Sequence, residues 1–220
     1  MPLKYALFDL DNTLYPRHIP IMPAIGERIK TYLMQQLDLN YEEATQKRAY
    51  YNHLYGTVIR GLLQEEAVDI QDYLAFVHDV PVHEFLKPNP ELSHLLSEIP
   101  IHKYIFTNSY RKHAEDVMDA LGVREHFEGI FDIQSVNYVS KPAKHPYITV
   151  VHALNTTPDT CIYVDDAVRN LEEPKRMGMK TILVDAQPNK WVDVAVEDVL
   201  EACRVIKKMI ANEHTEDAGD

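Results

Sequence analysis

Two aspartates close an apolar segment near the start of the chain. The strand-like run 5–8 ends in Asp9 and Asp11, which stand two residues apart. Side chains two apart in an extended segment share one face, so the two carboxylates point together. Because like charges repel there and are costly to desolvate, we expect a cation between them, and a hard divalent ion such as Mg²⁺ suits carboxylate oxygens. A calcium loop of the EF-hand type is excluded, because the glycine and glutamate that it needs at its sixth and twelfth positions are Leu14 and Pro20.

A second set of polar residues follows the apolar run 104–106. Thr107, Asn108 and Ser109 come directly after it, and a helix is predicted to begin there. The unpaired N–H groups and the positive dipole end of a helix start favour a phosphate oxygen. The same residue types also cap helices, so this segment alone leaves both interpretations open.

Two later segments repeat the pattern of polar residues after an apolar run. In the first, Lys141 would neutralise a phosphate group and nearby carboxylates. We favour it over Lys144, because the proline after Lys141 disfavours helical backbone at that position. In the second, Asp165 and Asp166 form another pair of carboxylates at a strand end, which needs a cation of its own unless it shares one with Asp9. Acidic pairs at two separate strand ends predict one shared metal site.

The composition limits the classes of partner that the chain is expected to bind. Its 220 residues carry 34 acidic and 22 basic side chains, a formal net charge of −12, and 45% of the residues are hydrophobic. This balance is normal for a globular protein with a full core. It argues against binding to nucleic acid or to an anionic membrane, since both reward clustered lysine and arginine. An anionic small substrate stays compatible, because a bound metal and a few local cations set the field in a pocket.

The cysteines and the apolar runs bear on the cellular setting. Cys161 and Cys203 show neither zinc-binding nor redox spacing. We find no secretory signal and no apolar run long enough to span a bilayer. We therefore expect a cytoplasmic protein, and we expect it to be a monomer or a dimer.

Hydrophobic patterning predicts an α/β fold. In the second half of the chain, apolar β-like runs alternate with amphipathic helical segments such as 110–121, where apolar residues recur at i, i+3, i+4 and i+7. This alternation indicates βαβ units and a parallel sheet. We predict a three-layer, Rossmann-like parallel-sheet core, with strands at 4–8, 102–106, about 130–133, 160–164 and 180–184.

The segment 17–86 differs from the rest, because it shows helical periodicity and no convincing strand. We predict that it forms a small helical cap inserted after the first strand, while 1–16 and 87–211 form the α/β core. A continuous single domain is the alternative. The cap would close over the carboxyl ends of the strands, where open α/β sheets bind ligands. Its helices are expected at 23–37, 41–54, 56–66 and 69–79.

Two local features complete this organisation. Pro174 lies inside the helix expected after Asp165 and Asp166. Because proline lacks an N–H and clashes with the preceding turn, we predict that this helix is split into a short turn at 167–172 and a new start at Pro174. The tail 212–220 is acidic and polar, and we expect it to be disordered.

Taken together, four motifs resemble those of the haloacid dehalogenase superfamily. They are Asp-Leu-Asp-Asn-Thr at 9–13, Phe-Thr-Asn-Ser at 106–109, Lys-Pro at 141–142 and Val-Asp-Asp at 164–166, in the expected order along nearly the whole chain. Further segments are similar to those of the pyrimidine 5′-nucleotidases: Tyr-Gly-Thr-Val-Ile-Arg-Gly-Leu at 55–62, Leu-Lys-Pro at 86–88 and Arg-Asn-Leu at 169–171. The resemblance implies a hydrolase that acts on a small phosphorylated substrate.

The resemblance implies a role for each matching residue. Asp9 would be the nucleophile that forms an aspartyl-phosphate, and Asp11 would protonate the leaving oxygen and then deprotonate water. We expect Asp9 to stay ionised because it lies near Mg²⁺ and Lys141. The side chain of Asp11 is free to carry a proton because only its carbonyl is directed to the metal, and a pocket obtains both a base and an acid by separating two carboxyl pKa values. Thr107, Asn108 and Lys141 would hold the phosphate.

The resemblance also implies a Mg²⁺ site. The ion would be held by the carboxylate of Asp9, the main-chain carbonyl of Asp11 and the side chain of Asp166. Asp165 would lie beside it as a water-mediated or alternative ligand.

Residues of the predicted cap are candidates for contacting the leaving group. Tyr55, Gly56 and Arg60 belong to the segment that is similar to the pyrimidine nucleotidases, and glycines in a helical insert imply a turn or a close backbone approach. Tyr50 and Tyr51 offer flat aromatic surfaces, for which ordinary helix packing is the competing interpretation.

The expected function is therefore Mg²⁺-dependent hydrolysis of pyrimidine nucleoside 5′-monophosphates such as UMP and CMP. The alternatives are a phosphatase for another small ester, such as a sugar phosphate, and a phosphotransferase that shares the first half-reaction. A dehalogenase is disfavoured because that chemistry needs no acid at the position of Asp11. A non-catalytic regulator that keeps the fold is disfavoured because all four motifs are intact.

Overall fold

A computed structural model describes residues 2–185 and 187–216. Its strands are β1 (Tyr5–Phe8), β2 (His102–Phe106), β3 (Gly129–Phe131), β4 (Cys161–Asp165), β5 (Lys180–Val184) and β6 (Val194–Val196). They form one sheet in the order β3-β2-β1-β4-β5-β6, and every neighbouring pair is parallel. The predicted α/β parallel-sheet fold is confirmed, with β6 added as a short strand that the sequence does not predict.

Helices occupy the connections between the strands. Between β1 and β2 lie α1 (Ile21–Leu37), α2 (Tyr41–Tyr55), α3 (Val58–Glu65), α4 (Ile70–His78), α5 (Val82–Phe85) and α6 (Pro90–Ser97). The later helices are α7 (Arg111–Leu121), α8 (Lys144–Ala153), α9 (Val168–Met177) and α10 (Val199–Glu216). Over the described ranges, no helix combines the length and the apolar character that a membrane crossing requires.

The helices of the insert begin and end at residues with suitable local chemistry. Asn40 and Glu43 form a capping box at the start of α2, in which each side chain accepts a hydrogen bond from the backbone N–H of the other. Gly56 ends α2 in the left-handed region, with φ of 83°. These signals are local, which is why the helices lie close to the predicted segments.

Alternating residues of β1 build two hydrophobic layers, one on each face of the sheet. Ala6 and Phe8 join a cluster that contains residues of α6, α7 and α10. Leu7 joins a second cluster that contains residues of α8, α9 and the helices α1 to α4. This arrangement gives the three-layer core. We propose 1–16 and 87–211 as the core and 17–86 as the cap.

Strand register brings the motifs to one edge of the sheet. β1 lies between β2 and β4, and Phe8 pairs with Ile105 on one side and with Val164 on the other. The backbone N–H of Asp9 donates to Val164 O at 2.8 Å. Residues that follow the three strands therefore emerge side by side at the carboxyl edge, the usual ligand site of an open α/β sheet.

The prediction of a split helix at Pro174 is wrong, because α9 runs without a break from Val168 to Met177 with Pro174 inside it. Proline removes the N–H that would bond to the carbonyl of Asn170. The hydroxyl of Tyr147 in α8 donates to this carbonyl at 2.8 Å instead. A tertiary contact thus replaces the missing helical hydrogen bond.

The end of the chain also differs from the prediction. Helix α10 continues through 212–216, a segment that the sequence assigns to a disordered tail. Extending an existing helix fixes one residue for each hydrogen bond gained, so a helix nucleated in the core can continue into a polar segment. The remaining tail, 217–220, lies outside the described residues.

Candidate active site

Asp9 lies at the centre of a buried polar cluster. Lys141 Nζ donates to Asp9 Oδ1 at 2.7 Å, and Thr13 Oγ1 donates to Asp9 Oδ2 at 3.0 Å. The same Nζ lies 2.7 Å from the hydroxyl of Tyr163 and 3.2 Å from Asp165 Oδ2. Residues far apart in the chain, from the ends of β1 and β4 and from the segment before α8, thus meet around one ammonium group.

Asn108 positions Lys141 through its backbone. Asn108 Nδ2 donates to Lys141 O at 3.1 Å, and Lys141 N donates to Asn108 Oδ1 at 2.8 Å. The neighbouring Thr107 is buried, and its Oγ1 accepts from the N–H of Ser109 at 3.0 Å. The second and third motifs are therefore joined directly, and we keep phosphate binding by Thr107, Asn108 and Lys141 as a proposal.

The carboxylate of Asp165 is fully engaged with protein donors. The hydroxyl of Tyr163 donates to Asp165 Oδ2 at 2.5 Å, Asn170 Nδ2 lies 3.0 and 3.1 Å from the two oxygens, and Ala167 N donates to Oδ1 at 2.8 Å. Tyr163 and Asn170 are not among the predicted site residues. A signal for Tyr163 exists, because it stands two residues before Asp165 on the same strand and so shares its face.

Asp166 is more accessible than Asp165 and has a cationic partner. Arg17 Nη2 lies 2.8 Å from Asp166 Oδ2, and the side chain of Asp166 is 13% exposed whereas that of Asp165 is fully buried. Arg17 follows the first motif in the linker to α1 and is not among the predicted site residues. Asp166 is therefore the better placed of the two aspartates to exchange its partner for a metal ion.

The donor set of the cluster fits a hard divalent metal. One carboxylate oxygen from each of Asp9, Asp165 and Asp166 lies within 4.8 Å of the others. Oxygen donors of this kind are the ligands that Mg²⁺ takes in proteins. Burial raises the pKa of Asp9 to about 8, with Lys141 opposing the shift and Asp165 adding to it. An ionised Asp9 at neutral pH therefore needs more positive charge than Lys141 supplies.

Asp11 is held by three donors on the other side of the first motif. Its Oδ1 accepts from the hydroxyl of Tyr15 at 2.6 Å and lies 2.8 Å from His113 Nε2, while Ser109 Oγ donates to Oδ2 at 2.5 Å. Burial alone raises the pKa of Asp11, but His113 and these hydrogen bonds outweigh it and hold the pKa well below its usual range. The two aspartates thus have separated pKa values, that of Asp9 raised and that of Asp11 lowered, because different groups surround each. That Asp9 is ionised beside Mg²⁺ and Lys141 stays a prediction.

His113 is a site residue that the sequence analysis misses. It lies in α7 with a fully buried side chain, and its Nδ1 has no hydrogen-bond partner among the described residues. Its ring centroid lies 5.3 Å from that of His78, at the end of α4 in the insert. The sequence feature that could have identified His113 is its position next to Ala114, on the inward face of an amphipathic helix.

The predicted leaving-group residues lie where α2 meets α3. The hydroxyl of Tyr55 donates to Glu65 Oε1 at 2.8 Å, and a Cβ on Gly56 would lie 4.0 Å from Ser140 Oγ in the core. Arg60 lies in the first turn of α3. Contact of these residues with a leaving group stays a proposal.

The two neighbouring tyrosines differ in their surroundings. Tyr51 is fully buried, and a Cβ on Gly61 would lie 2.2 Å from its ring, so Gly61 permits close packing of α2 and α3. This contact favours ordinary packing for Tyr51. Tyr50 is 45% exposed, and its hydroxyl donates to Glu65.

Comparison with known proteins settles the family. The family of haloacid dehalogenase-like hydrolases matches residues 3–178. The chain belongs to this family. The predicted superfamily and the prediction of a hydrolytic enzyme are thereby confirmed.

Characterised relatives of this haloacid dehalogenase-like hydrolase include phosphatases. The chain is 25% identical over 205 residues to validoxylamine A 7′-phosphate phosphatase from Streptomyces hygroscopicus subsp. limoneus, covering 90% of this chain and 95% of that protein. It is 28% identical over 152 residues to N-acetylmuramic acid 6-phosphate phosphatase from Pseudomonas putida, covering 64% and 67%. The match to Phosphate metabolism protein 8 of Saccharomyces cerevisiae is 29% identical over 136 residues but spans 58% of this chain and only 42% of that protein.

Solved structures of the family share the fold at low sequence identity. A HAD phosphatase from Thermococcus onnurineus superposes with a TM-score of 0.62 at 16% identity, covering 93% of this chain and 98% of that one. A 2-haloacid dehalogenase from Pseudomonas syringae pv. Tomato gives 0.61 at 16% identity, covering 94% and 99%. Because one fold carries both activities, the reaction must be argued from the site.

Proposed function

We propose that this hydrolase is a Mg²⁺-dependent phosphomonoesterase that uses Asp9 as its nucleophile. The observation that carries the proposal is the cluster around Asp9, in which Lys141 Nζ lies 2.7 Å from one carboxylate oxygen and Asp166 lies within reach of a shared cation. The relatives named as phosphatases support the same class of reaction. Asp11 supports it over dehalogenation, because it offers the proton transfer that a phosphate ester needs.

In the first step, a carboxylate oxygen of Asp9 forms a bond to phosphorus while the bond to the ester oxygen breaks. Lys141 offsets the negative charge on the transferring group, and Asp165 and Asn108 hold Lys141 in place. The leaving oxygen receives a proton from Asp11. Asp11 relays this proton from His113 Nε2, which lies 2.8 Å from Asp11 Oδ1; the transfer starts with a proton on each ring nitrogen of His113 and leaves His113 as the neutral imidazole.

In the second step, water attacks phosphorus, its proton passes to Asp11, and the bond between phosphorus and Asp9 breaks to release inorganic phosphate. The ionised Asp11 that its three donors stabilise is the form needed as this base. The carboxylates of Asp9 and Asp166 and the main-chain carbonyl of Asp11 would hold Mg²⁺. When bound, this ion supplies positive charge that polarises the phosphoryl oxygens.

As substrates we propose pyrimidine nucleoside 5′-monophosphates. The segments 55–62, 86–88 and 169–171, which are similar to the pyrimidine 5′-nucleotidases, support this choice. A sugar phosphate is the second candidate, because two relatives are named for validoxylamine A 7′-phosphate and N-acetylmuramic acid 6-phosphate.

A substrate panel tests the proposal. Release of inorganic phosphate is measured with Mg²⁺ and with a chelator, for UMP, CMP, purine nucleotides and sugar phosphates. Turnover of UMP and CMP well above the purine nucleotides, and lost with the chelator, is the expected result. Preference for a sugar phosphate transfers the proposal to the second candidate, and no turnover of any ester refutes phosphatase activity.

A further inference from the structure

A cavity separates the helical insert from the phosphate-handling residues. Its volume is about 190 Å³, and helices α1 to α4 line it on one side, with Asn108 and Ser109 on the other. Ser109 also donates to Asp11, so the cavity borders the proposed acid and base. At about 30 Å³ for each water, the space holds roughly six water molecules, which suits a compact leaving group.

The polar groups on the insert side of this cavity are few. Arg48, Asn52 and Thr57 line it together with mainly apolar residues such as Ile29 and Leu74. A pocket of this kind, apolar with a few placed polar groups, is typical of small-molecule recognition.

Arg48 places an unpaired hydrogen-bond donor beside this cavity. Its Nε is buried and has no hydrogen-bond partner among the described residues. The hydrogen bond from Lys30 is the main cause that lowers the pKa of Glu27, and the charge of Arg48 adds to it. Glu27 forms its ion pair with Lys30, at 2.7 Å, and not with Arg48. The other ionisable residues of the lining are Tyr73 and His78. Burial raises the pKa of Tyr73 and lowers that of His78 to about 4, so both are neutral and Arg48 carries the positive charge of the cavity. An unpaired donor on a half-buried guanidinium is costly, which indicates that a ligand completes it.

The backbone of α1 makes room for this guanidinium. A Cβ on Gly26, in the interior of α1, would lie 3.2 Å from Arg48 Nη2. Glycine is unfavourable within a helix. Its presence at this point therefore allows the guanidinium to rest against α1.

We infer that Arg48 and Asn52 form the recognition site for the leaving group, and that the site selects phosphate monoesters whose leaving group carries a carbonyl or carboxylate oxygen. A planar guanidinium fork matches such acceptor oxygens, and the amide of Asn52 both donates and accepts. The carbonyls of a pyrimidine base and the carboxylate of an acid phosphate share this chemistry. The inference rests on the proposed phosphomonoesterase function.

Two matched pairs of esters test the inference and separate the two sources. UMP is compared with 1-deoxyribose 5-phosphate, which lacks the base, and phosphoglycolate is compared with ethyl phosphate, which lacks the carboxylate. The wild-type protein should hydrolyse the ester that carries the acceptor oxygen faster than its match in at least one pair. A preference for UMP identifies a base carbonyl as the recognised group, and a preference for phosphoglycolate identifies a carboxylate. Arg48→Met removes a charge-assisted hydrogen bond and should lower kcat/KM for the preferred ester by about 10–100-fold. The kcat/KM for the matched ester that lacks the acceptor oxygen should change by less than about threefold.

Three further readouts separate recognition from other roles. Inhibition by inorganic phosphate should be unchanged in Arg48→Met, and its melting temperature should be equal to or above that of the wild type, because an uncompensated charge has been removed. Gly26→Ala favours the helix but crowds the guanidinium, so it should weaken the same preference without loss of stability. Arg204→Met, which removes a half-exposed arginine paired with Glu91, is the control.

Each remaining outcome counts against the inference. Absence of any preference in the wild type, or a preference that survives Arg48→Met, overturns it. Equal loss on all four esters together with weaker phosphate inhibition would show that Arg48 binds the phosphate instead. If the wild type releases phosphate from no ester, the proposed function fails first, and this recognition site fails with it.

Discussion

The hydroxyl of Tyr147 should carry a measurable share of stability, because it replaces a hydrogen bond that Pro174 removes from α9. Tyr147 and its ring are fully buried, and the hydroxyl donates at 2.8 Å to the carbonyl of Asn170, a residue that is only 8% exposed. Tyr147→Phe keeps the ring contacts with Phe106 and Tyr163 and removes only this donor. The substitution therefore isolates one hydrogen bond.

The expected loss follows from the burial of the carbonyl. A buried acceptor left without a partner costs about 1–3 kcal/mol. For a chain of this size, each kcal/mol lowers the melting temperature by about 2–4 °C, so Tyr147→Phe should lower it by about 2–12 °C. Urea unfolding followed by circular dichroism gives the free energy, and the slope of the transition should stay unchanged.

A double-mutant cycle with Pro174 identifies the cause. Pro174→Ala restores the N–H that bonds to the carbonyl of Asn170, so Tyr147→Phe should cost at least about 1 kcal/mol less in that background than in the wild type. An equal cost in both backgrounds, or a cost below about 0.5 kcal/mol in the wild type, would refute the explanation of how α9 tolerates its proline.

Three further predictions concern the site and the pH response. Asp9→Asn should lower phosphate release by more than about 10³-fold while the circular dichroism spectrum stays native, because the variant loses only the nucleophile; retained turnover would show that the nucleophile is misassigned. His113→Leu removes a donor to Asp11 and should slow the phosphorylation step about 10–100-fold with an alkyl phosphate. With 4-nitrophenyl phosphate, whose leaving group needs no proton, the burst of product release should slow much less in this variant. Equal slowing with the two substrates would indicate that His113 has a structural role alone. Burial favours a raised pKa for Asp193, but hydrogen bonds from Lys175 and Thr181 lower it below its ordinary value of 3.8. A carboxyl with a depressed pKa in the folded state stabilises above its unfolded pKa, and this contribution is lost as pH falls through the folded value. Asp193→Asn should therefore reduce the drop in melting temperature between about pH 6 and about pH 3, and an unchanged drop would contradict this assignment.

Sequence reasoning reached the fold class and the residues around Asp9 because both are encoded locally. The strands appear as short apolar runs, and each predicted site residue in the core follows such a run or stands in a short motif. Helix ends such as Asn40 and Gly56 are also local signals, since the cap bonds join residues within one turn.

Contacts between distant segments were beyond this reasoning. His113 meets Asp11 across 102 positions, and Tyr147 meets Asn170 across 23. No periodicity or spacing in the sequence predicts either contact. The error at Pro174 arose for this reason, because local propensity counts the lost hydrogen bond but not the distant hydroxyl that replaces it.

The amino-acid pattern was sufficient to predict the family, the parallel sheet and the set of acidic and basic groups at the carboxyl edge of that sheet. Only the folded chain shows which groups surround Asp9 and Asp11, and so the direction in which each pKa moves. It also shows that Arg48 lines a cavity and that its Nε has no hydrogen-bond partner within the described part of the chain. The physical reason is that desolvation and Coulomb energies depend on distances in the folded state, whereas the pattern of a sequence reports only the geometry of neighbours along the chain.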